Sequence, residues 1–77
     1  MNSQLAISDE QKRYAEAVES ALDIIFYYED DEYEFLAEES VIDDLTDNFS
    51  YSLADAHSIL ATASAIHDYR TLSGFYN

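Results

Sequence analysis

The chain has 77 residues, 17 acids against three bases (Lys12, Arg13 and Arg70), a formal net charge of −14, and neither Cys nor Pro. That length allows one domain with a small core, spanning 1–77 as a single acidic unit. The missing cysteines exclude disulfides, thiolate metal sites and a cysteine nucleophile, and the charge opposes contact with nucleic acid or an anionic membrane. The hydrophobic fraction of 48% argues for a folded chain despite its charge. With a single glycine, Gly74, the tight turns of a small β fold lack their usual residues, so helices are expected.

In chain order, Ser8-Asp9-Glu10-Gln11 fits the S-x-x-Q capping box, with acids in the first turn where the helix dipole favours them. Tyr14, Val18, Ala21, Leu22, Ile25 and Tyr28 follow at helical spacings, predicting a helix over Asp9–Tyr28 with these residues as its apolar stripe. Glu29 to Glu32 are four consecutive acids at the end of that helix, where the dipole disfavours them, so a break or bend is expected there. A long curved helix is the alternative.

A second helix is expected over Asp31–Phe49, with Asp31 as cap and Phe35, Ile42, Leu45 and Phe49 turned inward. Ser40 followed by Asp43 resembles another cap, so this helix reads either as one or as two short ones hinged near Glu39. The unbroken version places Asp43, Asp44 and Asp47 on the exposed side.

Ser50-Tyr51-Ser52 reads as a turn, and Ser52 as the cap of a third helix over Leu53–Ser73. Leu53, Ala56, Ile59, Leu60, Ala63, Ile66 and Tyr69 form its stripe. Gly74 suits the left-handed position after it, with Phe75 folding back towards Tyr69. The expected architecture is all-α, a small three-helix bundle with helix 2 whole or split.

The functional signal is the stretch from Tyr27 to Asp47. It holds ten carboxylates (Glu29, Asp30, Asp31, Glu32, Glu34, Glu38, Glu39, Asp43, Asp44 and Asp47) and no Lys or Arg. Tyr33 lies among them as a candidate interface anchor. If wholly helical, the 18 steps from Glu29 to Asp47 span about 27 Å, a linear charge density comparable to that of a nucleic-acid strand. Like-charge pairs four residues apart, such as Glu39/Asp43 and Asp43/Asp47, each cost a helix about 0.2–0.5 kcal/mol. Three bases cannot offset this, whereas a basic partner would.

In size and charge the chain resembles the short acidic proteins of phages and mobile elements, among them anti-restriction proteins, anti-CRISPR proteins and inhibitors of uracil-DNA glycosylase. The resemblance lies in composition and carries over no functional residue. It implies a non-enzymatic nucleic-acid mimic whose carboxylates occupy the DNA- or RNA-binding site of a basic host protein: a defence complex, nuclease or regulator. The alternative is an antitoxin, immunity protein or acidic adaptor that binds a basic partner away from its nucleic-acid site. The Ala-rich side of helix 3 (Ala54, Ala61, Ala65) is a candidate homodimer contact.

Other chemistries have weaker support. The two histidines, His57 and His67, lack further ligands at metal-binding spacing, and the acidic run lacks the glycine of a calcium loop. Neither a metal nor another cofactor is expected. No nucleophile elbow or phosphate loop is present, so the expectation is a protein that is not an enzyme. Tyr51-Ser52-Leu53 lacks the Asp that precedes the prosthetic-group serine in acyl carrier proteins, which are also small, acidic and helical. The N-terminus carries no basic segment followed by an apolar run, and no apolar stretch approaches the roughly 20 residues of a membrane span. The expected location is the cytoplasm, that of the host if the protein is phage-encoded.

Overall fold

Ser8 opens the first helix through the reciprocal contacts its spacing predicts. The Gln11 N–H donates to Ser8 Oγ at 3.1 Å, and the Ser8 N–H donates to Gln11 Oε1 at 3.0 Å. The computed structural model describes residues 8–28 and 34–75, with the backbone alone for Glu34 and Phe35. Three helices follow in order: α1 (Asp9–Tyr27), α2 (Glu34–Asp47) and α3 (Leu53–Leu72). Each packs against the other two, giving an all-α three-helix bundle, and no strand occurs among the described residues.

α1 ends at Tyr27 with Tyr28 as its cap, so one curved helix running on into α2 is ruled out. The expected cap at Asp31 lies outside the described residues. α2 runs unbroken through Glu39 and Ser40, which corrects the split alternative. Ser40 sits mid-helix because its neighbours Ala37, Val41 and Leu45 are all buried and hold one continuous helical face against the core.

The chain reverses at Ser50, whose φ of 59° is the left-handed conformation. The Tyr51 N–H reaches back to the Leu45 carbonyl at 3.0 Å. Ser52 caps α3, accepting from the Asp55 N–H at 3.1 Å. At the far end Gly74 has φ 77°, and the Phe75 N–H donates to the Arg70 carbonyl at 2.8 Å while the Gly74 N–H donates to that of Thr71 at 3.3 Å. That is the Schellman arrangement, and it satisfies carbonyls a helix end leaves open. The ring of Phe75 lies under the Arg70 guanidinium, 4.7 Å from it.

The core joins Ala17, Val18, Ala21 and Leu22 of α1 to Val41 and Leu45 of α2 and to Ala56, Ile59 and Ala63 of α3. Four of these nine are alanines, which let helix backbones approach closely. Ile25, Ile42, Phe49, Leu60 and Ile66 pack around them. Tyr14, Leu53 and Tyr69 were expected in the stripes but are exposed, at 43%, 60% and 72%. α2, with 14 residues, is about 21 Å long, whereas α1 and α3, with 19 and 20, reach nearly 30 Å.

Candidate functional site

α2 carries the candidate site, and its side chains sort into rows because successive residues turn by about 100°. Ala37, Val41 and Leu45 form the buried row. Opposite them, Glu39, Asp43 and Asp47 form an exposed row at four-residue spacing, about 6 Å per step. Glu38 is also exposed and lies on the side of α2 that faces α3, in the row of Ile42.

Asp44 belongs to the third side, against α1. It is half-buried, and its Oδ2 accepts from the Ser20 hydroxyl at 2.7 Å while its Oδ1 accepts from the Asn48 amide at 2.6 Å. The expectation that Asp44 shares the exposed side with Asp43 and Asp47 is corrected by this contact. A carboxylate at that position meets a hydroxyl across the helix interface, and the hydrogen bond repays its partial desolvation.

Of the other candidates, Glu34 is the first residue of α2. Glu29, Asp30, Asp31, Glu32 and Tyr33 lie outside the described residues. Tyr27, beside them in sequence, is 79% exposed and meets the Tyr28 ring edge-on at 5.0 Å.

Two depressions adjoin along α2 and α3, the second of them also bordered by α1. One, of about 490 Å³, is lined by Glu38, Glu39, Ile42, Asp43, His57 and Leu60. The other, of about 210 Å³, lies between Ile25, Tyr28 and Ala37 on one side and Leu60, Ser64, His67 and Asp68 on the other, with Glu38 at its rim. Glu38 and Leu60 belong to both, so the depressions adjoin along the helix pair. Neither contains a Lys or Arg.

A third depression, of about 440 Å³, lies where α1 and α3 begin, among Glu10, Tyr14, Tyr51, Asp55 and Ile59. The chain's own Arg13 stands beside it, with its guanidinium 4.4 Å from the centre of the Tyr51 ring.

The α3 residues of these grooves were not legible as site residues. His57, Leu60 and Asp68 read only as helix positions until α2 is laid beside them. Ser52, compared above with an acyl-carrier serine, spends its oxygen on capping α3. Among the described residues no group of three or more His, Asp or Glu side chains is placed to hold a metal ion, and no helix is long and apolar enough to cross a membrane. No protein-family profile, curated protein or solved structure matches the chain.

Proposed function

We propose that the protein is a non-enzymatic inhibitor of the phage or mobile-element type, in which carboxylates of α2 stand in for the phosphates of a nucleic acid. Its target is a basic DNA- or RNA-binding protein of host defence, so it acts in the anti-restriction or anti-CRISPR manner. The observation that carries this reading is the exposed set Glu38, Glu39, Asp43 and Asp47 on one rigid helix, in a stretch with no Lys or Arg from Tyr14 to Tyr69. Those four charges span nine helical steps, about 14 Å, a mean separation of about 4.5 Å, of the same order as the roughly 3.4 Å between charges along a single strand of duplex DNA. Asp44 is excluded from this surface because α1 already occupies it.

The test is recovery of the target from a host lysate, followed by competition with duplex DNA at graded salt. Displacement by DNA and a steep loss of affinity with salt are expected. A tight partner whose affinity is indifferent to DNA would sink mimicry and favour the antitoxin or adaptor reading. Co-expression with a toxic neighbouring gene would then be the deciding experiment.

A further inference from the structure

Repulsion alone would make α2 a featureless acidic rod, but the α2–α3 side is more structured than that. Ile42, Leu60 and Ala37 give the two adjoining depressions an apolar floor, while Glu38, Asp43 and Asp68 supply carboxylates along the margins. From His57 to Asp68 the groove follows eleven helical steps of α3, about 16 Å or three turns. The helices that wall it run antiparallel, since Asp43 lies near His57 while Ala37 lies near Ser64.

We infer that the α2–α3 groove is a docking site for one amphipathic helix of a basic protein partner, with apolar residues on the floor and Lys or Arg against the margins. The partner's helix would lie along the groove as a fourth helix added to the bundle, the mode in which anchors at i, i+3, i+4 and i+7 are read. Charge complementarity selects the occupant. With carboxylates and no Lys or Arg at the margins, an acidic helix is repelled, and so is a second copy of this chain at net charge −14.

The α1–α3 depression is the weaker candidate because Arg13 already places a cation at its edge. The inference rests on the reading of α2 as the face that meets a basic partner, and adds that recognition is by an apolar-floored groove as well as by charge.

The experiment uses the full chain and two synthetic 18-residue helical peptides with the same number of lysines. One bears a leucine stripe at i, i+3, i+4 and i+7; the other bears alanine at those positions. Affinities are measured at 150 mM NaCl, and the contact surface is mapped by amide chemical shifts. The leucine peptide is expected to bind at least tenfold more tightly, shifting amides over 37–43 and 57–68. The variant E38Q/D68N should lose about tenfold in that affinity with its helical circular dichroism intact. Equal affinity of the two peptides, with shifts confined to the exposed row of Glu39, Asp43 and Asp47, overturns the groove and leaves the acidic face standing. Binding of neither peptide overturns both. Displacement by DNA does not enter these readouts, so the groove can hold while mimicry fails.

Discussion

Asp43 and Asp44 are neighbours in sequence with opposite roles in stability. Asp43 lies on the exposed row between Glu39 and Asp47, each four residues away, and repels both. Asp43→Asn should therefore raise stability by about 0.5 kcal/mol, seen as a small rise in Tm at low salt that fades as salt is added. Asp44 accepts the Ser20 hydroxyl across the helix interface. Ser20→Ala leaves that half-buried carboxylate without its partner from α1 and should cost about 1–2 kcal/mol, a fall of several degrees in Tm for a domain of this size. A Tm unchanged in Ser20→Ala would show that water replaces the hydroxyl at no cost. Ser50 is a third informative residue, since its φ of 59° is one that glycine adopts without a Cβ penalty. Ser50→Gly should stabilise the α2–α3 connection by roughly 0.5 kcal/mol, read from the midpoint of urea unfolding.

At the scale of elements, the three helices depend on different things. α1 and α3 have N-terminal caps, with Ser8 and Ser52 accepting from Gln11 and Asp55. Removing either serine hydroxyl by alanine should cost about 1 kcal/mol. α2 has no basic residue in its last turn, carries repelling acids on its outer row, and is the shortest of the three. It is held by its inner row, where Val41 and Leu45 are the two largest fully buried side chains among the described residues. Leu45→Ala should cost about 2–5 kcal/mol, enough to unfold a domain this small or leave it marginal. Loss of the cooperative thermal transition is the expected result. A Leu45→Ala protein that melts like the parent would mean that packing of α2 contributes little.

For the whole molecule, the net charge of −14 sets a self-repulsion that three bases cannot relieve. Screening by salt should therefore stabilise the fold, with Tm rising between about 10 and 300 mM NaCl as the Debye length falls. A flat or falling profile would remove repulsion as a significant term. The same charge should accelerate encounter with a basic partner, so the association rate should fall steeply over that salt range while dissociation changes less. The small core and acidic surface thus act together: the isolated domain carries repulsion that a basic partner would relieve.

The helices and their ends were legible in the sequence because they depend on contacts three to four residues apart. Ser8, Ser52 and Gly74 mark boundaries by local hydrogen bonds and backbone conformation, and each takes the role its position predicts. The identity of the acid-rich helix as a continuous element was less legible, since Ser40 looks like a cap until the burial of Ala37, Val41 and Leu45 is known. Periodicity gives one apolar stripe per helix but not how far a neighbour covers it. Tyr14, Leu53 and Tyr69 hold stripe positions yet lie outside the core. Only packing decided which carboxylates turn outward, that Asp44 turns to Ser20, and that Glu38 and Leu60 line the same depressions. Those pairings bring together residues 22 to 24 positions apart, and their geometry follows from how three helices share one core.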